Sequence, residues 1–268
     1  MTQKEIRDRV QVAQKNYDQT LKSIETILRK ERGFASRIPR NEDVVAICSG
    51  GMDSVIMIDK IIEDWQVTVH PLFFRRGQRA LKFEEESFDY FISYYKNKFK
   101  DKIGIVSKLN CEIPPEEYKE SFLPVLAKTV GHPLRNSTME NLAVMYAVAL
   151  NGKYDLDIRT VFVGAIGEDK KEPELGLLSL RSQTLNACIN TGDWRWQITS
   201  PFTDLRKQQI YKIDLIKYAI KRQLPLEKMR TCFSSSVYAD RTCNACKKRL
   251  NAFQYLKLED PYKYEASR

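Results

Sequence analysis

From residue 6 onward, apolar side chains recur every three or four positions (Ile6, Val10, Ala13, Tyr17, Leu21, Ile24 and Leu28), with Lys, Arg, Glu and Gln between them. That period matches one face of an α-helix and predicts a single amphipathic helix over residues 1 to 38, ending before Pro39. The pattern then changes. Val44, Val45, Ala46, Ile47 and Cys48 form an unbroken apolar run, which fits a strand buried on both faces of a parallel sheet. A glycine turn follows at once, Ser54 to Trp65 returns to helical spacing, and Val67 to Phe74 returns to strand composition. Strand, turn, helix and strand within about thirty residues make a βαβ unit.

The alternation continues with a charged helix near Leu81 to Phe99, a strand near Lys102 to Ser107, a helix from Ser137 to Leu150 and a strand Thr160 to Val163 before Gly164. This order predicts an α/β fold, a doubly wound parallel sheet with right-handed crossovers. After Pro201 a helix is expected over Lys207 to Arg222, then a cysteine-bearing segment from Cys232 to Cys246 and a polar tail. The expected organisation is an N-terminal helix (1–38), an α/β domain (39–205) and a small helical, cysteine-containing extension (206–268).

Composition narrows the class. Hydrophobic residues at 43% and charged residues at 29% of 268 positions describe a globular chain able to bury a core, not a disordered one. The first ten residues carry charges and no signal-peptide core, and no apolar run approaches the ~18 residues of a membrane span. A cytoplasmic location with no membrane partner is the expectation. Six scattered cysteines argue against a disulfide framework and for burial or metal binding. The net charge of +9 suits anionic partners such as nucleotides or RNA, although the Lys and Arg residues are spread along the chain as on any solvated basic surface.

Ser49-Gly50-Gly51-Met52-Asp53-Ser54 sits between the first strand and the first crossover helix, where backbone N–H groups and the helix dipole converge on an anion. Gly50 and Gly51 keep side chains out of a ligand's way, and Ser49 and Ser54 add hydroxyl donors. Asp53 is unusual at a bare anion site; it makes sense if it accepts from the turn or works through Mg²⁺ carried by pyrophosphate. The chain contains no GxxxxGK[ST], so a P-loop kinase or GTPase lacks its phosphate-reaching lysine. The SGGxDS sequence resembles the signature of the PP-loop ATP pyrophosphatases, which cleave ATP to AMP and pyrophosphate.

Further segments resemble one branch of that class, the 7-cyano-7-deazaguanine synthase (QueC-like) family of queuosine biosynthesis. Gly77-Gln78-Arg79 followed by Glu84-Glu85-Glu86 is similar to the family's YGQRH...E stretch, with Arg76 in place of the aromatic and Ala80 in place of the histidine. Pro133-Leu134-Arg135-Asn136 resembles its PxRN element, and Lys207 its KxEI stretch. Cys232, Cys243 and Cys246, with Arg249 and Phe253 after them, resemble its four-cysteine zinc site, in which Asp240 holds the second cysteine position. A Cys₃Asp zinc site, free cysteines at a lost site, and a disulfide are the alternatives there. Between Gly164 and Pro201 the chain lacks the Cys of the family's YPDC-type substrate element, and Asp169 or Glu172 is expected to replace its acid.

The resemblance implies an ATP-dependent carbon–nitrogen ligase that adenylates 7-carboxy-7-deazaguanine, amidates it with ammonia and dehydrates the amide to the nitrile. It implies ATP, Mg²⁺ and Zn²⁺ as ligands. Ser49 to Ser54, Gln78, Arg79 and Asn136 would bind nucleotide, with Asp53, Lys207 and Arg135 acting on the phosphates. One alternative acceptor is a protein amine, as in QueC-like paralogues of antiviral defence operons such as type IV CBASS. A tRNA-modifying PP-loop enzyme is a further alternative, although no appended RNA-binding domain is visible. His70, His132, Cys48, Cys111 and Cys188 are assigned no role. The N-terminal helix either lies on its own domain or mediates self-association or partner binding.

Overall fold

Val44, Val45 and Ala46 are fully buried, as an apolar run covered from both sides requires. In the computed structural model they form the middle of β1 (Asp43–Ile47), the central strand of a five-stranded parallel sheet. The structure describes residues 17–119, 132–171, 173–205 and 209–264. The other strands are β2 (Thr68–Arg75), β3 (Ser107–Asn110), β4 (Thr160–Phe162) and β5 (Gln197–Thr199), in the order β3-β2-β1-β4-β5. The chain winds outward from β1 in one direction through β2 and β3, then crosses to β4 and β5 on the other side. The point of reversal lies between β1 and β4, where open α/β sheets place their ligands, beyond the carboxyl ends of the strands.

Among the described residues seven longer helices cover the sheet: α1 (Tyr17–Arg32), α2 (Met52–Trp65), α3 (Leu81–Phe99), α4 (Arg135–Tyr154), α5 (Leu177–Thr191), α6 (Lys212–Lys221) and α7 (Asn244–Tyr255). On one face α2, α3, α6 and α7 share an apolar core that includes Val55, Ile58, Phe88, Phe91, Leu215 and Phe253. On the other, α1, α4 and α5 pack through Leu28, Ala143, Ala147 and Leu180. Each fully buried aliphatic or aromatic side chain of this kind contributes about 1.5–3 kcal/mol. The C-terminal extension is continuous with the first of these cores, since Met229, Ala252 and Phe253 belong to it.

Several boundaries differ from the periodicity reading. Helix α1 ends at Arg32 and not near residue 38, because Gly33 at φ +84 closes it with an N–H bond to Arg29 O; residues 1–16 of the expected helix lie outside the described residues. Its described part lies on its own domain: Leu28 is buried, the Leu178 N–H donates to Tyr17 Oη at 2.9 Å, and Arg181 pairs with Glu25 at 3.0 Å. Strand β3 begins at Ser107, several residues later than the pattern indicates. Ile103 makes an isolated bridge to Val69, Gly104 then passes against the His70 ring, which a Cβ would approach to 2.6 Å, and the continuous ladder with β2 starts only at Ser107. Helix α6 begins at Lys212; the Ile210 N–H is held by Phe202 O at 2.8 Å, and residues 206–208 are outside the described range.

Candidate active site

The loop after β1 is built inward from its glycines. Gly50 has φ +73, and a Cβ there would stand 2.5 Å from Glu84 O and 2.7 Å from Phe88 N, so only glycine lets the loop lie flat against α3. Gly164, just after β4, is held less tightly on the other side: its Cβ would meet Ser54 N at 3.1 Å. Hydroxyls tie the turn together. The Ser49 N–H donates to Ser54 Oγ (3.2 Å), Ser54 Oγ donates to Gly51 O (3.1 Å), and Ser87 Oγ lies 2.7 Å from Gly50 O. No side chain caps α2, so the N–H groups of its first turn, Met52 to Ser54, face the strand ends as a ready anion site.

Above this turn Lys212 Nζ lies 2.5 Å from Asp53 Oδ1. Lys212 is the first residue of α6, and its backbone N–H donates to Glu168 Oε1 at 2.8 Å, which fixes the helix start over the loop. The loop opens into a cavity of about 470 Å³ at the carboxyl ends of β1, β2 and β4. Arg76 and Arg135 reach it from the ends of β2 and the start of α4. Burial pulls the Arg76 guanidinium below its usual value, Glu84 partly restores it, and the Arg135 charge lowers it further. Two cations held near each other in a half-buried cavity favour an anion between them. Leu134, at φ +61, turns the chain into α4 so that Arg135 and Asn136 form its first turn.

Of the residues singled out from the sequence, Ser49, Gly51, Met52, Asp53, Ser54, Gln78, Arg135 and Asn136 line this cavity, with Gly50 behind the loop. Gln78 is engaged by the chain itself: its Oε1 accepts from Arg76 N (2.8 Å), and its Nε2 donates to Phe74 O and Glu84 Oε2. It shapes the wall and has no amide hydrogen to spare. Arg79 is exposed and is not among the lining residues. Lys207 and Glu172 lie outside the described residues. Asp169 lines the cavity, but its carboxylate accepts from Ile166 N (3.1 Å) and from Lys248 Nζ (3.2 Å).

Lys212, Glu140, Glu174 and Lys248 were not singled out. Glu174 is the further acid brought to the cavity from the segment in which Asp169 or Glu172 was expected to serve. A signal for Glu140 existed in retrospect, since an acid four positions after Asn136 falls on the helix face that carries it.

Cys232, Asp240, Cys243 and Cys246 come together beside the cavity, with their ligand atoms all within 4.8 Å of one another. Among the described residues they form the one such cluster of metal-binding side chains. Backbone N–H groups already point at the sulfurs, Ser234 and Asp240 at Cys232 and Cys246 at Cys243, as the supporting shell of a thiolate metal site does. Asp240 Oδ1 accepts from Thr242 N and Cys243 N, which aims the carboxylate inward. The donor set fits tetrahedral zinc. Arg230 joins this cluster to the Ser49–Ser54 turn. Its backbone N–H donates to Gly50 O (3.2 Å), and its guanidinium binds the carbonyls of Cys232 (3.0 Å), Ser234 (2.6 Å) and Ser236 (3.0 Å).

Relatives are found among known proteins. The 7-cyano-7-deazaguanine synthase of Chlorobium phaeobacteroides (strain BS1) is 25% identical over 235 residues, covering 82% of this chain and 96% of that protein. The protein of the same name from Pseudoalteromonas atlantica is 28% identical over 235 residues, covering 84% and 99%. Among solved structures, NMN synthetase from Francisella tularensis aligns over 94% of this chain and 98% of its own, at 10% identity and a TM-score of 0.43. The family described as queuosine biosynthesis protein QueC matches residues 43–257, from the first residue of β1 to beyond the end of α7, and the chain belongs to that family.

Proposed function

We propose that this chain is an ATP-dependent synthase that joins the carboxylate of 7-carboxy-7-deazaguanine, or a close analogue, to AMP and then passes the acyl group to ammonia. The observation that carries the reading is the convergence on one cavity of the Ser49–Ser54 turn, Lys212 over Asp53, and the Arg76 and Arg135 cations. A carboxylate resists attack because it is anionic and has no good leaving group. Its oxygen attacks the α-phosphorus of ATP, the bond to pyrophosphate breaks, and the acyl adenylate forms. Ammonia then adds to the acyl carbon and AMP departs with the electron pair, leaving the amide. A second adenylation, of the amide oxygen, followed by loss of AMP and protons, gives the nitrile.

The protein's part is positioning and charge stabilisation. The N–H groups at the start of α2 receive the departing pyrophosphate, and Lys212, Arg135 and Arg76 offset negative charge on phosphate and carboxylate. Lys207, from the family's lysine motif, remains a candidate for the same task. Asp53, the carboxylate of the loop, would hold Mg²⁺ brought with the nucleotide, which would supply positive charge to the phosphates. Cys232, Asp240, Cys243 and Cys246 would hold zinc in a structural role, fixing the loop that Arg230 ties to Gly50.

A second reading keeps the adenylation and changes the acceptor to a protein amine, as in defence-operon paralogues. In its favour is the segment Gly167 to Glu174, which lacks the cysteine of the family's substrate element. The test is turnover of full-length protein with ATP, ammonium and the deazaguanine acid, followed by pyrophosphate assay and mass spectrometry. Release of pyrophosphate with amide or nitrile product is expected. A deazaguanine mass on a protein instead supports the second reading, dependence on added tRNA supports a tRNA-modifying enzyme, and cleavage to ADP overturns the adenylation altogether.

A further inference from the structure

Glu140 lies in the second turn of α4, is 1% exposed and lines the cavity. Its Oε2 is buried and has no hydrogen-bond partner. Glu174 reaches the same cavity from the segment after β4, and its Oε1 is likewise buried and unpartnered. The two carboxyls feel each other's charge but are not hydrogen-bonded through these atoms, so each oxygen still lacks a partner. The second oxygen of Glu174 is occupied, since it accepts from Asn136 N at 3.4 Å at the start of α4. Buried polar atoms without partners are costly, and in a cavity wall they indicate donors brought by a ligand.

The cavity lining holds both cations, Arg76 and Arg135, and carboxyls, Glu140 and Glu174. A heterocycle that carries both an acid and a row of N–H groups fits this lining. We infer that Glu140 and Glu174 together read the pyrimidine edge of a guanine-type deazapurine, taking its ring N–H and its exocyclic 2-amino group. This rests on the deazapurine reading above and adds to it the basis on which the base is chosen.

Burial, and then the charge of Glu174, pushes the Glu140 carboxyl up to about 8, so near neutrality it keeps its proton and presents one donor and one acceptor. A lactam, N–H beside C=O, is the complement of that pair. Burial raises the Glu174 carboxyl as well; the Asn136 N–H holds its Oε2, which leaves the unpartnered Oε1 as the acceptor for an amino group. A purine with a carbonyl at that position would set oxygen against oxygen, and one with hydrogen there would leave Glu174 unsatisfied.

The test measures binding of 7-carboxy-7-deazaguanine and of its 2-deamino analogue to the full chain, with a non-hydrolysable ATP analogue titrated into the same samples. Wild type should prefer the guanine-type acid by on the order of 100-fold or more, because a site built to bond a group rejects the molecule lacking it. Glu140→Gln keeps a donor and an acceptor and should retain most of the affinity. Glu140→Leu should weaken binding of both acids, and Glu174→Ala should erase the preference, with affinity for the ATP analogue changing less than about two-fold in each. Equal binding of the two acids by wild type, or undiminished binding by a folded Glu140→Leu, overturns the inference. Loss of ATP-analogue binding in the variants overturns it by assigning the pair to adenine. If wild type binds the ATP analogue and neither acid, the deazapurine reading itself fails.

Discussion

Lys212 Nζ lies 2.5 Å from Oδ1 of Asp53, a residue 159 positions earlier in the chain. The pair joins the first turns of α2 and α6, which pack against each other on one face of the sheet. An incoming triphosphate would compete for the lysine, leaving the carboxylate to meet the metal that travels with the nucleotide. Asp53→Ala should therefore lower ATP cleavage to AMP and pyrophosphate by roughly 10²–10³-fold, the scale of losing one preorganised charge-stabilising group. Lys212→Met should fall in the same range. Pyrophosphate release and thermal melting are read together; wild-type turnover in a folded Asp53→Ala sample would remove the role given to this residue.

Gly50→Ala tests whether the loop depends on glycine. The new Cβ would meet the backbone atoms Glu84 O and Phe88 N, which no rotamer change can move, at a φ of +73. A loss of about 2–5 kcal/mol is expected from combined strain and overpacking. Gly51→Ala meets Ser49 Oγ at 3.2 Å and Arg230 O at 3.3 Å, and should cost less. Denaturant midpoints that fail to separate the two variants would contradict this ranking.

The sulfur cluster should carry one zinc per chain. Elemental analysis of protein prepared without chelator checks this, and well under half an equivalent would return the three cysteines to a packing role. Asp240→Ala should lose the metal on dialysis, whereas Asp240→Cys should hold it. Because Arg230 links the Cys232 loop to Gly50, metal loss should also weaken ATP binding, which an unconnected structural site would leave unchanged.

The Glu140 carboxyl makes stability fall with rising pH. Its ordinary value is 4.5 and burial, then Glu174, pushes it up to about 8, so between these values the folded chain holds a proton that the unfolded chain has released. The contribution is fully present below about 4.5 and lost as pH rises through about 8. Its size is several kcal/mol at most, by order of magnitude. Glu174 acts with the same sign, and Arg135 opposes it. Glu140→Gln should gain on wild type in melting temperature between pH 6 and pH 9; parallel profiles would show that the group is not buried as an acid.

Deleting residues through 38 should destabilise the domain and not release a self-sufficient one. The described helix contributes Leu28 to the core, and Arg32 donates to the carbonyls of Trp194 and Trp196. Glu25 and Ser36 flank the buried Arg181–Asp204 pair, which would lose both partners. A truncated protein that melts like the full chain but changes its sedimentation would revive the partner role for this helix.

What could be read from the chain alone was local. The β1 run, the SGGMDS turn and the spacing of α2 are consecutive residues whose period and conformational demands determine strand, loop and helix together. The Cys-x2-Cys pair likewise places two sulfurs on one helical turn. Strand β5 and helix α5 escaped because their burial is partly polar: Gln197 is satisfied by Thr160 and Arg37, and Thr184 by Ile198, so no apolar period marks them. Only the tertiary structure brought Lys212 to Asp53 and Glu140 to Glu174, because these meetings depend on strand order and on where a helix begins. A residue's neighbours along the chain determine its backbone; its chemical partners are chosen by the sheet that carries distant strand ends to a single crevice.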